Sequence, residues 1–155
     1  MKAEAKITTV RAMRWWDIEP VMALEVELFG DEAWSPTMFW SELAEHASRH
    51  YLVVSAGERI VAYAGLCAYP PHESYVQTIA VAPDAQGQGL GTRLLTALID
   101  ESQRRGCTRL DLEVRADNDD AIRLYERHGF QRIGLRRAYY QPSGVDAVVM
   151  RRVAA

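Results

Sequence analysis

The chain has 155 residues, of which 48% are apolar and 25% are charged, and its formal net charge at pH 7 is −3. This length predicts one globular domain over residues 1–155, because such a chain buries about 70% of its unfolded surface and has no room for a second core. The slightly acidic balance, without a basic block, argues against a nucleic-acid-binding protein.

The N-terminal stretch MKAEAKITTV contains no apolar core of signal-peptide length. No apolar run approaches the roughly 18 residues that span a bilayer, so no membrane association is expected. Cys67 and Cys107 show no C-x-x-C spacing and no Cys/His cluster, and we interpret both as small core residues. These features together predict a protein of the reducing cytoplasm.

The first half of the sequence predicts one strand, two helices and three further strands. Residues 7–13 are the first strand, and Asp17 is the predicted N-cap of a helix that runs through Leu28. Ser35 and Pro36 indicate the second helix, since a capping hydroxyl precedes a proline in the first turn. Short turns separate the next three apolar segments, which favours an antiparallel meander. Its predicted strands are residues 51–56, 59–69 and 74–81.

In the second half, helices alternate with strands. A helix follows the glycine-rich stretch 82–91 and ends at Gly106. Residues 109–115 alternate apolar and polar side chains, and this strand is reached through a helix, so it should run parallel to its predecessor. Another helix is predicted from Asn118 to Gly129. The chain closes with a predicted hairpin of strands 130–140 and 146–152.

This order of elements predicts an α/β (α+β) fold. A mixed and mostly antiparallel sheet would have helices packed over it, since each element must bury an apolar face against another. One interior crossing runs from the strand at 74–81 through the glycine-rich loop into the next helix. That crossing is the place where the sequence concentrates its unusual residues.

The stretch APDAQGQGLG places Gly87, Gly89 and Gly91 directly before a predicted helix. A helix N-terminus exposes unpaired N–H groups and carries about half a positive charge, so it attracts anions. Glycines remove side chains that would hold an anion away, and they allow the positive φ angles that turn N–H groups inward. The stretch is neither a P-loop nor the dinucleotide motif, because Thr92 takes the third glycine's place. From these residues alone, a pyrophosphate seat and a flexible connection are equally open.

Two segments resemble the GCN5-related N-acetyltransferase superfamily. The first is QTIAVAPDAQGQGLGTRLL, in which Gln86, Gly89 and Gly91 fit the acetyl-CoA signature. The second, LEVRADNDDAIRLYERHGFQRIGLRRAYY, resembles the RimI branch, bacterial enzymes that acetylate the N-terminal alanine of a small-subunit ribosomal protein. The likeness covers nearly the whole chain, from VRAMRWWDI to DAVVM.

The resemblance implies two central strands that splay apart, with helices on both faces of the sheet and the thioester of acetyl-CoA in the gap. The cofactor would be held by the backbone of Ile79, Ala80 and Val81, and Asn118 would lie beside the thioester. The glycine-rich loop would supply Gln86, Gly87, Gln88, Gly89, Leu90, Gly91 and Thr92. Amides near Val81 would face the thioester oxygen, and removing one such donor typically costs about 3 to 4 kcal/mol of barrier. Asn118 equally fits a simple N-cap.

Two residues match the family's proton-transfer groups, Glu113 as general base and Tyr125 as general acid. A peptide α-amine has a pKa of about 8, so a carboxylate need only relay its proton, directly or through water. A phenol with a pKa of about 10 stays protonated and can donate to the departing sulfur. From the pattern alone, Glu113 also fits a solvent-facing strand residue and Tyr125 a core aromatic on a helical stripe.

The resemblance places the peptide groove between the loop GDEAWSP and the segment RRAYYQPSGVDA. Its expected walls are Trp34, Tyr139 and Tyr140. The candidates for contact with a basic second residue of the substrate are Asp31, Glu32 and Asp146. Two residues on this side depart from those common in relatives, Ala33 in place of proline and Val145 in place of glutamate, which weakens the inference of strict ribosomal-protein specificity.

The leading hypothesis is direct transfer of acetyl from acetyl-CoA to a protein N-terminal amine, without a covalent acyl-enzyme. Two alternatives stay open: the same fold acting on a lysine or a small amine, and a non-catalytic acetyl-CoA-binding module that regulates a partner. Glu113 and Tyr125 argue against the second alternative, because a pure binder needs neither. His46 and His50 lack an acidic third ligand, so we predict a solvated helix end and no metal.

Overall fold

The computed structural model describes residues 7–154, which form seven strands and four α-helices. Residues 1–6 and residue 155 lie outside the described range. Residues 1–6 belong to the N-terminal stretch that was assessed above for a signal peptide. The strands are β1 (Thr8–Ala12), β2 (Arg49–Ala56), β3 (Arg59–Tyr69), β4 (Glu73–Val81), β5 (Arg109–Arg115), β6 (Gln131–Arg136) and β7 (Ala147–Val153). The helices are α1 (Ile18–Phe29), α2 (Pro36–Ala44), α3 (Leu90–Arg104) and α4 (Asp119–Arg127).

All seven strands join one sheet in the order β1-β2-β3-β4-β5-β7-β6. β2, β3 and β4 form the predicted antiparallel meander, and β1 pairs antiparallel with β2. β4 and β5 are parallel, whereas β5 pairs antiparallel with β7, and β7 pairs antiparallel with β6. The predicted mixed and mostly antiparallel sheet is therefore confirmed.

The two central strands separate along their length. β4 and β5 pair over only three positions, from Glu73 opposite Arg109 to Tyr75 opposite Asp111. Beyond these positions β4 continues beside β3 and β5 continues beside β7, so each strand stays paired on its outer side alone. A gap therefore opens between the carboxyl ends of β4 and β5, as the family resemblance implies.

Helices cover both faces of this sheet. Every residue from Ile60 to Ala68 is buried, so both alternating sets of side chains on β3 are covered. α2 packs against β3 through Phe39 and Tyr63, whose ring centroids are 6.0 Å apart. α3 meets β4 where the hydroxyls of Ser74 and Ser102 lie 2.6 Å apart. The buried unpaired Cys67 and Cys107 are core residues, as predicted.

Two of the predicted helix caps form as the sequence indicates. Ser35 Oγ accepts a hydrogen bond from the Met38 backbone N–H at 3.2 Å, and Pro36 follows in the first turn of α2. Asn118 Oδ1 accepts from the Ala121 N–H at 3.2 Å at the start of α4. Each cap satisfies an N–H group that has no partner within its helix.

The third predicted cap is wrong in its role. Asp17 occupies the N-cap position of α1, but its carboxylate makes no capping bond to that helix. A short 3-10 turn precedes α1, and Asp17 instead accepts hydrogen bonds from Arg11 at 2.7 and 2.8 Å and from the Arg14 N–H at 2.7 Å. The hydrogen bonds from Arg11 hold the pKa of Asp17 below its ordinary value. Asp17 thus ties the start of α1 back to β1.

The predicted last hairpin is only partly right. Its first strand was expected to reach Tyr140, but β6 ends at Arg136 and residues 137–146 form a loop. Ala138 has a φ of +51°, which is incompatible with a strand, and its N–H donates to the Asp146 carboxylate at 2.8 Å. This hairpin loop, residues 137–146, carries Tyr139 and Tyr140 toward the gap between β4 and β5.

Candidate active site

Two cavities meet at the gap between β4 and β5. The α4 cavity, of about 190 Å³, is lined by Asn118, Ala121 and Tyr125 among others, whereas the hairpin cavity, of about 440 Å³, reaches Arg136 and Tyr139. Four residues line both cavities: Trp34, Gln77, Glu113 and Tyr140. A reaction between two molecules that enter from opposite sides would therefore take place beside these four residues.

Glu113 lies on β5 at this junction, with 26% of its side chain exposed. Its Oε1 lies 2.7 Å from Arg136 Nε, and it also accepts a hydrogen bond from the Tyr139 hydroxyl, which raises the pKa of Tyr139. The carboxylate is thus neither a free solvent-facing group nor a buried one. It lines both cavities and can reach a ligand in either.

Tyr125 lies on α4 and contributes to the wall of the α4 cavity. Its ring is buried and packs edge-on against Phe130, with centroids 5.7 Å apart. Burial raises the pKa of Tyr125 to about 12, so the phenol is protonated at neutral pH. Tyr125 is therefore a core aromatic, as its helical spacing suggests, and it also lines the α4 cavity.

Of the other residues predicted to hold the thioester end of the cofactor, Asn118 and Ile79 line the same cavity. Asn118 lines the α4 cavity while capping α4, so the two alternatives considered for it are compatible. Ile79 lines the cavity from β4, together with Thr78. Ala80, the next residue, is buried and lines none of the cavities described here.

The glycine-rich loop forms a third cavity, the glycine-loop cavity, together with one face of α4. The lining residues from the predicted set are Val81, Gln86, Gly87, Gly89, Leu90, Gly91 and Thr92, whereas Gln88 is exposed and absent from the lining. Gly87 and Gly89 have φ angles of +80° and +78°, and a Cβ on either would meet no atom within 4 Å. The backbone is therefore bare on its outer side, and the start of α3 adds a positive dipole end. This cradle fits a pyrophosphate.

The sequence reasoning did not anticipate the basic residues that α4 adds to the glycine-loop cavity. Arg123 and Arg127 line it one turn apart. Arg123 pairs with the exposed Asp120 at 2.5 Å. Asp120 lines the cavity as well, so the two arginines exceed the acidic side chains of the lining by one positive charge. The sequence signal that could have predicted this pair is the spacing of four residues, which puts both arginines on one face of the helix.

The three aromatic residues predicted to wall a peptide groove all line cavities at this junction. Trp34 and Tyr140 line both the α4 cavity and the hairpin cavity, and Tyr139 lines the hairpin cavity. The Tyr139 and Tyr140 rings meet edge-on with centroids 5.1 Å apart. Trp34 packs against Phe39 at 5.1 Å, which fixes the wall contributed by the loop between α1 and α2.

The three acids expected to meet a basic substrate residue have different surroundings. Glu32 accepts hydrogen bonds from Ser143 and pairs with Arg115, and the hydrogen bond from the Ser143 hydroxyl is the main cause that lowers the Glu32 pKa. Asp146 accepts the Ala138 N–H. Both carboxylates therefore hold the hairpin loop in place. Of the three acids, Asp31 alone is exposed, and the structure of residues 7–154 shows no such bond for it.

A buried acid that the sequence analysis missed also lines the α4 cavity. Glu25 is only 2% exposed, and it accepts hydrogen bonds from the Tyr63 hydroxyl and, at 2.8 Å, from the Trp34 N–H. Burial raises the pKa of Glu25. The sequence signal that could have predicted its burial is its position four residues after Val21, on the apolar stripe of α1.

The prediction of a helix end for both histidines is wrong for His50. α2 ends at Ala44, so His46 follows it, whereas His50 lies within β2 and burial lowers its pKa. Within residues 7–154, no three His, Cys, Asp or Glu side chains are grouped so that they could hold a metal ion. No helix in the same range is long and apolar enough to cross a membrane.

A splayed mixed sheet with a bare glycine loop at its centre and a carboxylate and a phenol in the gap defines an acetyl-CoA-dependent N-acetyltransferase. Residues 11–130 match the acetyltransferase (GNAT) family, and the chain belongs to that family. The fold class predicted from the sequence is thereby confirmed.

Individual relatives are similar over most of the chain. The N-alpha-acetyltransferase RimI of Mycobacterium tuberculosis is 45% identical and covers 98% of this chain and 96% of its own length. The [ribosomal protein bS18]-alanine N-acetyltransferase of Salmonella typhimurium is 40% identical over 76% of this chain and 78% of its own. The crystal structure of the ribosomal-protein-S18-alanine N-acetyltransferase from Escherichia coli superposes with a TM-score of 0.84 at 34% identity, covering 95% and 94% of the two chains.

Proposed function

We propose that this enzyme transfers an acetyl group to the α-amino group of a protein N-terminus, with an N-terminal alanine as the preferred acceptor. The observation that carries the proposal is the meeting of two cavities at Glu113. The relatives named above as alanine N-acetyltransferases act on ribosomal protein bS18, which makes a small-subunit ribosomal protein the first substrate to test. A ribosomal substrate would also agree with a cytoplasmic enzyme.

The donor site follows from the two cavities on the α4 side. The amides of the glycine-rich loop would hold the pyrophosphate of acetyl-CoA, with positive charge added by Arg123 and Arg127. The α4 cavity would then receive the thioester beside Asn118, near the backbone of Ile79 to Val81. Preorganised N–H donors at such a position stabilise developing negative charge on an oxygen. Acetyl-CoA supplies the activated acetyl group, and the protein supplies position and proton transfer.

The acceptor enters from the hairpin cavity, between Trp34 and the two tyrosines of the hairpin loop. Glu113 accepts the proton that the α-ammonium must lose before its nitrogen can attack. Tyr125 then donates its phenolic proton toward the sulfur, so that coenzyme A leaves as a thiol. A general acid must be protonated before it acts, and the pKa of Tyr125, raised by burial to about 12, meets that requirement.

An α-amine suits this arrangement better than a lysine does. Its pKa of about 8 leaves roughly a tenth of it neutral at pH 7, whereas a lysine with a pKa of about 10.4 is almost fully charged. Glu113 can deprotonate the α-amine at small cost. A lysine would require about 3 kcal/mol more, because its pKa is about 2.4 units higher.

The test uses peptides that begin with alanine and contain one internal lysine. The enzyme is incubated with acetyl-CoA and either the free peptide or the same peptide with a blocked N-terminus, and tandem mass spectrometry locates the acetyl group. The proposal predicts acetylation of the free peptide at its N-terminus alone. Equal acetylation of both peptides at lysine would contradict it, and so would tight binding of acetyl-CoA without turnover.

A further inference from the structure

Gln77 is placed at the junction of the two cavities by an irregularity in β4. Gly65 of β3 pairs with Thr78, but the next residue, Leu66, pairs with Val76, so Gln77 is an extra residue without a partner. Such a bulge bends the strand and changes the direction of a side chain, and bulges are common beside active sites. The half-buried Gln77 lines both the α4 cavity and the hairpin cavity.

The amide of Gln77 is held in one orientation by Glu42 of α2. Gln77 Nε2 donates to Glu42 Oε1 at 2.9 Å. The same carboxylate accepts the Tyr51 hydroxyl at 2.5 Å and Arg49 Nε at 2.9 Å. Burial opposes the ionisation of Glu42, but these hydrogen bonds outweigh it and lower the Glu42 pKa. An ionised carboxylate has no proton to donate, so the amide nitrogen of Gln77 must face it.

The position of Glu42 is itself fixed from the sheet. A Cβ on Gly65 would overlap the Tyr51 ring, so this ring lies directly on the Gly65 backbone. Arg49 is held by hydrogen bonds to the Ser48 and Tyr69 hydroxyls at 2.8 and 3.0 Å. Both donors that hold Glu42 are therefore restrained, and the orientation of the Gln77 amide is determined before any ligand arrives.

With its nitrogen bonded to Glu42, Gln77 has its amide oxygen available to a ligand. We propose that Gln77 Oε1 accepts a hydrogen bond from the substrate α-amine and that Glu42 is a positioning residue that keeps this oxygen turned toward the amine. The proposal rests on the proposed function, since it assigns the acceptor of that reaction. A neutral amine has one lone pair and two N–H groups. Once Glu113 has passed the first ammonium proton to solvent, the lone pair faces the acetyl carbon and one N–H faces Glu113, which accepts this second proton as the amide forms. The other N–H stays on the amide nitrogen of the product and reaches Gln77.

This geometry predicts discrimination against N-methylated substrates. A peptide that begins with N-methylalanine has only one N–H on its neutral amine, and Glu113 requires that one. The methyl group then faces Gln77 Oε1 and leaves this acceptor without a partner. An unmet hydrogen bond in a desolvated site lowers kcat/KM by about tenfold. The wild-type enzyme should therefore favour the alanine peptide over the N-methylalanine peptide by at least that factor.

The experiment measures this selectivity ratio in wild type, Gln77→Met, Glu42→Gln and Gln103→Met. Methionine matches glutamine in length but accepts no comparable hydrogen bond, and Gln103 is an exposed residue of α3 that serves as the matched control. Gln77→Met should reduce the ratio to near one. Glu42→Gln should also reduce the ratio. A neutral amide at position 42 can donate as well as accept a hydrogen bond, so the Gln77 amide can rotate by 180° and exchange its oxygen and nitrogen. Gln103→Met should keep the wild-type ratio.

A merely structural role for Gln77 would lower kcat/KM for both peptides equally and leave the ratio unchanged, which would overturn the proposal. A wild-type ratio near one would overturn it as well. Acetyl-CoA affinity and the thermal unfolding midpoint report whether each variant folds, and Glu42→Gln decides the matter if Gln77→Met does not fold. Absence of any N-terminal acetylation by wild type would refute the proposed function, whereas acetylation with an unchanged ratio would refute only this inference.

Discussion

Arg136 Nε lies 2.7 Å from Glu113 Oε1, so the proposed general base is ion-paired with the residue at which β6 ends. The Arg136 side chain is 59% exposed, and ion pairs in such surroundings contribute only about 0 to 1 kcal/mol. We infer that the substrate ammonium can replace this guanidinium with little loss. Glu113 is thus poised for exchange of one cation for another.

Replacing Arg136 by glutamine should therefore change kcat/KM for an alanine peptide by less than about fivefold. Steady-state kinetics of Arg136→Gln, with Arg137→Gln as the neighbouring charge control, checks this expectation. A loss of a hundredfold or more in Arg136→Gln alone would mean that Arg136 takes part in the reaction and that the exchange described above is wrong.

Tyr125→Phe removes the proposed acid and keeps the ring that packs against Phe130. We expect kcat to fall about a hundredfold or more, because the thiolate would have to leave without its proton. Acetyl-CoA affinity and the thermal unfolding midpoint should stay near their wild-type values. Stopped-flow or steady-state rates at saturating acetyl-CoA give the answer, and a variant within threefold of wild type would exclude Tyr125 as the acid.

Gly89 and Gly57 permit a matched test of the glycine-rich loop. Their φ angles are +78° and +64°, and a Cβ on either would meet no atom within 4 Å, so alanine causes similar backbone strain at both. Only Gly89 lines the glycine-loop cavity. Gly89→Ala should weaken acetyl-CoA binding tenfold or more in calorimetry, while Gly57→Ala should bind as wild type does. Equal affinity in the two variants would place the pyrophosphate elsewhere.

Burial raises the pKa of Glu25 above its ordinary 4.5, and this has a consequence for stability. Above pH 4.5 the unfolded chain releases this proton first, so the native state binds more protons and the free energy of unfolding falls as the pH rises through the raised pKa. Glu25→Gln cannot titrate. In urea unfolding from pH 4 to pH 8, the stability of wild type relative to Glu25→Gln should decrease with pH. Parallel curves would show that Glu25 retains an ordinary pKa.

Local signals in the sequence predicted much of the fold. Ser35 and Asn118 are caps where their positions indicated, and the change from meander to alternation located the parallel crossing. Such features depend on neighbours within a few residues, and the sequence displays them directly. The predicted strand through Tyr140 is wrong because its end depends on a more distant partner. Ala138 has a positive φ, and its N–H bonds Asp146, eight residues away.

The parts of the site that escaped prediction depend on distant partners. The bulge at Gln77 exists only in the pairing of β4 with β3, and its amide is oriented by a carboxylate 35 positions away. Glu32, one of the three candidates for contact with the substrate, bonds Ser143, which is 111 positions away. Periodicity reports which face a residue occupies, but it does not report which side chain from another element it meets there.

The most direct test is the pH dependence of kcat/KM for the alanine peptide in wild type and Glu113→Gln. Glutamine keeps the size of the side chain but cannot accept the amine proton. The account predicts a loss of at least a hundredfold at pH 7, partial recovery as the pH rises past the amine pKa of about 8, and unchanged acetyl-CoA affinity. A Glu113→Gln enzyme with the wild-type rate and pH profile would contradict it.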